Sequence, residues 1–220
     1  MRPDRVTMTD LILATAVAFL VTIDPIGLGP VFAGLTAGME HSVRRRMAVK
    51  GVLIGAGLLF VFALVGEGLL KALGIGVGAF RIAGGILLLL LAIEMVFARE
   101  SGIRATPDER AEAQDKVMHD ADISVFPLGI PLIAGPGAMT SVVLLMGRAS
   151  GDLASQAVVL GVLAAVLALT LVVLLFAAEV SRFMGVTGIN VVNRVLGILL
   201  AALACQFVID GLIESGVLHR

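Results

Sequence analysis

Charge is scarce in this chain: Asp, Glu, Lys and Arg make up 15% of its 220 residues, there is one cysteine, and Trp and Tyr are absent. Against so little charge stand 59% AVILMFWYC and a mean hydropathy of +1.06, a composition that excludes a water-soluble surface. A nucleic-acid binder needs a basic surplus, and here 16 Lys+Arg face 17 Asp+Glu. The lone Cys205 excludes a disulfide framework and a multi-cysteine metal site, and reads as a small packing residue. His41, His119 and His219 lie outside the apolar runs and form no HExxH-type pair, so no metal site is expected. Without Trp or Tyr there is no conventional aromatic belt. The run Gly74 to Ala79 fits a loose GxGxxA pattern but lacks a preceding strand, and no ATP-binding motif occurs, so no cofactor is expected.

What the chain does have is long apolar runs. Leu153 to Ala178 carries no charge and no proline until Glu179, which excludes the alternation of a membrane β-barrel and requires helix. Charge-poor stretches give six candidate spans, at about 10–36, 49–71, 76–98, 122–147, 154–178 and 188–213. The fold class expected is an all-α polytopic membrane protein. Residues 99–121 carry Pro107 and many of the acidic residues, and read as a polar cytoplasmic linker between a first unit, 1–98, and a second, 122–220. Gly51 and Gly55, one turn apart, form an expected close-packing face. Arg2 and Arg5 ahead of Leu11 imitate a signal peptide, but cleavage would discard half of the repeat described next, so the first helix is read as retained.

The first, third and fifth loops hold nine Lys and Arg against five in the termini and even loops, which places both termini outside and the Arg44-Arg45-Arg46 cluster in the cytoplasm. That cluster reads as a topology signal, with an anionic-lipid site as the alternative.

Two spans cannot be continuous helices. One contains Asp24-Pro25-Ile26-Gly27-Leu28-Gly29-Pro30 and the other runs from Pro127 through Pro131 to Gly135-Pro136-Gly137. Proline lacks an amide hydrogen and pushes the residue before it out of the helical region, so each segment should unwind for about a turn. Pro25 aligns with Pro131, Gly29 with Gly135 and Pro30 with Pro136, all at a spacing of 106 residues; Arg81-Ile82-Ala83-Gly84 aligns with Arg194-Val195-Leu196-Gly197 at 113. The chain thus reads as a duplicated three-helix unit. Three is odd, so the copies enter the membrane from opposite sides, giving an inverted 3+3 repeat with broken first and fourth helices. Unwound backbone at membrane depth is tolerated only against protein or a hydrated cavity, so the breaks predict a binding site. Gly29 and Gly135 are expected as N-caps, with Pro30 and Pro136 at the first helical positions, where the free amides and the dipole suit an anionic group.

The Asp24-to-Pro30 run and the run Pro131-Leu132-Ile133-Ala134-Gly135-Pro136-Gly137-Ala138-Met139-Thr140 resemble the paired signatures of the MarC family. So do Phe80-Arg81-Ile82-Ala83-Gly84-Gly85 and the ending Gln206-Phe207-Val208-Ile209-Asp210-Gly211. The resemblance spans nearly the whole chain. It implies a multi-pass protein of the prokaryotic inner membrane, in a family whose transport-associated members handle small neutral amino acids such as alanine and glycine. The family signature often has Asn where this chain has Leu28, so any polar contact of that Asn is absent here.

Asp24 is the only charged residue between Leu11 and Met39. It is read either as a ligand for a substrate ammonium or a coupling proton, or as a cap that locks the break before Pro25. The substrate-binding candidates are Asp24, Gly27, Gly29, Pro30, Gly135, Pro136, Gly137, Thr140, Asn190 and Asn193; Thr22, Thr36 and Ser141 lie near the breaks but hydroxyls in such helices commonly bond their own backbone. No catalytic or metal-ligating set is found, so an enzyme is not expected. The expected partners are a small-molecule substrate and membrane lipid, not nucleic acid, with self-association left open. The function expected is secondary transport of a small neutral amino acid by alternating access. A channel or an exporter of another small solute is the alternative, and the small, glycine-lined breaks fit drugs less well.

Overall fold

The computed structural model describes residues 8–36, 38–97 and 122–217, so the linker expected at 99–121 lies outside the described residues. Eight helical elements follow in order: α1 (Met8–Ile23), α2 (Pro25–Leu35), α3 (His41–Ala72), α4 (Val77–Phe97), α5 (Ser124–Ile133), α6 (Pro136–Arg148), α7 (Leu153–Leu175) and α8 (Ala177–Glu214). No strand occurs among the described residues. Five stretches are long and apolar enough to cross a membrane: Met8–Leu35, His41–Ala72, Val77–Phe97, Leu153–Leu175 and Asn190–Glu214. The pair α5 and α6, bent by 54°, makes a sixth if the two form one span. The all-α, multi-pass architecture read from the sequence is therefore present.

One boundary differs from those expected. Helix α3 starts at His41 rather than near residue 49, because hydropathy marks where the bilayer begins while the helix itself continues through Arg44-Arg45-Arg46, all good helix formers. Helix α8 joins two helices across a break at Gly185, whose φ of 59° lies in the left-handed region that glycine enters without a Cβ clash, and its membrane-length part, Asn190–Glu214, agrees with the span expected at about 188–213. The capping of α7 is conventional: the Asp152 carboxylate accepts from the Ala154 and Ser155 amides at 3.2 Å.

Glycines set the helix spacing. A Cβ on Gly51 would meet Leu128 Cδ2 at 2.4 Å, one on Gly55 Ile133 Cγ2 at 2.6 Å, and one on Gly66 Val143 Cγ2 at 2.6 Å, so this face of α3 lies directly against α5 and α6. Helices α4 and α8 form the most extensive pair. Gly78 sits against Gly211, Gly85 against Ala204, and Gly197 against Val96, an order that makes the two antiparallel. Without a hydrophobic force between helices in lipid, this close backbone approach supplies the packing energy. Other pairings are α1 and α2 on α7, α5 and α6 on α3, α2 on α8, α6 on α4, and α3 on α7. The main buried cluster gathers residues of α1, α2, α3, α5, α6 and α7 with Ala177 of α8; a second joins α4 and α8 with Val21 and Leu144.

Two glycine substitutions separate spacing from propensity. Gly211→Ala places a methyl 2.7 Å from the Gly78 carbonyl oxygen and should destabilise by about 1–3 kcal/mol, the range for an overpacked core. Gly57→Ala points into open space and should be neutral or stabilising by up to about 1 kcal/mol through helix propensity. Thermal unfolding of the detergent-purified variants measures both.

Candidate functional site

The first break is a single residue. Asp24 adopts φ 52°, ψ 64°, a left-handed conformation that costs a non-glycine residue about 1–2 kcal/mol. Its carboxylate offsets that cost, because Oδ1 accepts the Gly27 amide at 3.0 Å and so caps α2. A carboxylate at this position also lies at the positive end of the α2 dipole. Asp24 is fully buried, and Gly27 is what lets it approach: a Cβ there would stand 2.2 Å from Oδ2. Pro25 supplies no amide hydrogen to the Val21 carbonyl, and the Gly27 amide, which a continuous helix would give to Ile23, is taken by Asp24.

This geometry corrects the expectation for Gly29 and Pro30. They do not begin a half-helix; α2 begins at Pro25, and both residues lie inside it. The physical reason is that Asp24 offers a side-chain acceptor that glycine lacks, while Pro25 already fills the first helical position. Nor is the chain unwound for a turn here, since Asp24 N–H still bonds Leu20 O and Leu28 N–H bonds Asp24 O, both at 3.0 Å.

The second break is longer and differently built. In α5 the coil is wide, with Leu128 N–H on Ile123 O at 3.2 Å and Ala134 N–H on Gly129 O at 3.0 Å, each reaching back five residues. Phe126 and Ile130 are extended, at φ −131° and −134°, as residues before proline are pushed to be. The Phe126–Pro127 and Ile130–Pro131 peptide bonds are cis. Helix α6 then starts as the spacing predicts, with Gly135 as N-cap at φ −80°, ψ 170° and Pro136 at the first helical position. Gly135 has no side chain to cap with, so the first-turn amides of Gly137 and Ala138 have no side-chain acceptor from the N-cap.

Both breaks border one buried cluster. Ile23 and Leu28 flank Asp24, Ile133, Ala134 and Ala138 flank Gly135, and all five belong to it. The hydroxyls nearby divide into two kinds. Thr22 Oγ1 donates to Ala18 O and Thr36 Oγ1 to Phe32 O, each at 2.8 Å, as expected of self-satisfied hydroxyls. Thr15 on α1 and Ser141 on α6 are fully buried, and their hydroxyls have no hydrogen-bond partner among the described residues. Thr140 is buried against Gly84, where a Cβ would come within 2.2 Å of its methyl. Asn190 is exposed, whereas the Oδ1 of Asn193 is buried and unpartnered among the described residues. Thr15 was missed in the sequence because nothing in a run of apolar residues marks which hydroxyl faces inward.

Ion pairs tie the helix ends. At one end Arg148 pairs with Asp210, which also accepts from Gln206 Nε2 at 2.7 Å, and the guanidinium lies 4.7 Å from the Phe207 ring centre. Arg81 holds Glu214 at 2.9 Å with its side chain 15% exposed. At the other end Lys50 pairs with Asp122, which also accepts from the Ser124 amide at 2.9 Å. The Lys50 ammonium and the Ser124 donors hold the Asp122 carboxyl at about 2, below the ordinary 3.8. None of these three pairs had a local signal, since each joins residues more than sixty positions apart.

Two consequences are measurable. Asn tolerates the left-handed region and caps as well as Asp, so Asp24→Asn should keep the thermal midpoint, while Asp24→Ala should lose about 0.5–2 kcal/mol in detergent. Because the folded pKa of Asp122 lies below its unfolded value, its contribution is present above 3.8 and is lost as pH falls toward about 2. Acid melting curves over that interval should therefore fall less steeply in Asp122→Asn than in the parent, by a modest margin for so exposed a pair.

Comparison with known proteins agrees with this architecture. The family model described as MarC family integral membrane protein matches residues 9–215. A UPF0056 membrane protein of Methanocaldococcus jannaschii is 36% identical over 90% of this chain and 84% of its own length. Another from the same organism is 37% identical over 91% of this chain and 95% of its own. The UPF0056 membrane protein YvbG of Bacillus subtilis is 35% identical over 93% and 95%. No solved structure matches. With the family signatures, the multi-pass helical fold and matches of this extent in agreement, the chain belongs to the MarC family of integral membrane proteins.

Proposed function

We propose that this protein is a secondary transporter of small neutral amino acids of the alanine and glycine type, working by alternating access in a prokaryotic inner membrane. The observation that carries the reading is the pair of interrupted spans, α1–α2 and α5–α6, whose breaks border the same buried cluster. The reading includes an inverted 3+3 repeat with both termini outside. Support for it comes from the pairings: α1 and α2 pack on α7 as α5 and α6 pack on α3, and α2 packs on α8 as α6 packs on α4. Helix α4 packs antiparallel on α8, its counterpart under the 113-residue spacing.

In this proposal the two breaks have different tasks. The uncapped start of α6, at Gly135, Pro136 and Gly137, receives the substrate carboxylate. The start of α2 is already occupied by Asp24, so it is not a second carboxylate site; instead Asp24 and the carbonyls freed before Pro25 face the ammonium, with Asp24 also the candidate for a coupling proton. Thr140 and Asn193 supply further polar contacts, and Gly27 sets the position of Asp24. The substrate class rests on the family resemblance, and no catalytic chemistry is assigned to the chain.

Purified protein in liposomes loaded with unlabelled alanine should accumulate labelled alanine against its gradient by counterflow. Asp24→Asn, folded and inserted, should take it up at least roughly tenfold more slowly, the loss expected when a hydrogen bond to a charged group is weakened. Uptake without counterflow would identify a passive pore, uptake unchanged by Asp24→Asn would remove Asp24 from the mechanism, and no uptake under any proton or sodium gradient would overturn the substrate class.

A further inference from the structure

Helix α3 is longer than a bilayer is thick. Its 32 residues extend about 48 Å at ~1.5 Å per residue, against a hydrocarbon core of ~30 Å. The excess lies at its start, where His41 to Lys50 hold four basic residues and no acidic one, while Gly51 to Gly66 hold no charge. The first ten residues therefore stand at headgroup depth. Along one side of this helix Ser42, Arg45, Arg46, Val49, Lys50, Leu53 and Ile54 recur at three- and four-residue intervals, forming a single stripe that lines a concavity of about 650 Å³. The stripe changes character with depth: cations first, then apolar side chains, with Leu53 66% exposed. Arg46 and Leu53 are seven residues apart, so charge gives way to hydrocarbon within ~10 Å. Arg45 and Arg46 are exposed and form no ion pair among the described residues. Lys50 is held by Asp122, and with Arg46 it also borders a second, smaller concavity. Three cations thus face one carboxylate.

We infer that this stripe is a selective binding site for an anionic phospholipid, its phosphate held by Arg45 and Arg46 and its acyl chain laid over Val49, Leu53 and Ile54. A zwitterionic lipid brings a cationic group to the same place and is repelled by it. A soluble anion uses only the upper half of the stripe. The charge sequence along the helix, cationic above and apolar below, matches a lipid with a negative headgroup end to end. This inference concerns the outside of α3 and is independent of the transport reading.

The test is native mass spectrometry of the full-length protein after equilibration in detergent with equal phosphatidylglycerol and phosphatidylcholine. Phosphatidylglycerol should be retained at least roughly fivefold over phosphatidylcholine, the worth of one basic residue at a lipid surface. The double variant Arg45→Gln with Arg46→Gln should lose that preference, and the control Lys71→Gln, at the other end of α3, should keep it. Should the double variant fail to insert, Val49→Asn with Leu53→Asn removes the apolar half and should lower phosphatidylglycerol retention several-fold. Equal retention of the two lipids by the parent, a preference that survives Arg45→Gln with Arg46→Gln, phosphatidylglycerol retention unchanged by Val49→Asn with Leu53→Asn, or displacement of the lipid by millimolar inorganic phosphate would each overturn the proposal.

Discussion

A backbone amide or carbonyl facing lipid has no water to turn to, so every interruption of a spanning helix must be satisfied by the protein, by a hydrated cavity or by what the protein binds. That constraint organises the molecule. At Asp24 the side chain of the interrupting residue supplies the missing acceptor, holding the left-handed turn closed with one hydrogen bond to Gly27. At α5 the chain leaves the helical conformation before each of two prolines, and the Leu128 and Ala134 amides bond carbonyls five residues back. The two solutions leave different remainders. The first break holds a buried carboxylate, the second a helix start without a side-chain cap, and on the reading proposed above these meet the two ends of a zwitterion.

The interruptions hold their places because the remaining helices approach so closely. Gly51, Gly55 and Gly66 put α3 against both halves of the broken α5–α6 span, and the Gly78–Gly211 and Gly85–Ala204 contacts lock α4 to α8. Ion pairs then fix the ends: Arg148 with Asp210 and Arg81 with Glu214 join α6 and α4 to the end of α8, while Lys50 with Asp122 joins α3 to the entry of α5. On the reading proposed above, the polar ends are the parts that exchange partners and the glycine faces are the rigid bodies.

Much of this was legible in the residues, and the pattern of what was not is physical. The spans, the two proline interruptions, the Gly51–Gly55 face and the Gly135–Pro136 helix start all follow from short-range rules: bilayer length, the missing proline amide, small residues one turn apart. Aligning the two proline segments misled at Gly29 and Pro30, because equal spacing of Gly-Pro does not give equal caps when one segment carries Asp24 and the other Ile130. The start of α3 extends beyond the hydropathy boundary because helix formation and membrane burial end at different places. Long-range pairs such as Arg148 with Asp210, and the inward-facing hydroxyls of Thr15 and Ser141, depend on how helices rotate against one another, which periodicity in a uniformly apolar run does not record.

On the reading proposed above, the two breaks line one site. The most direct measurement uses single cysteines at Leu28 and Met139 in a Cys205→Ser background, labelled by a small thiol reagent in membranes with and without saturating alanine. Protection of both positions over the same range of alanine concentration is the result this account predicts. Labelling at Leu28 and Met139 that is indifferent to alanine, or protection confined to one of them, would contradict it.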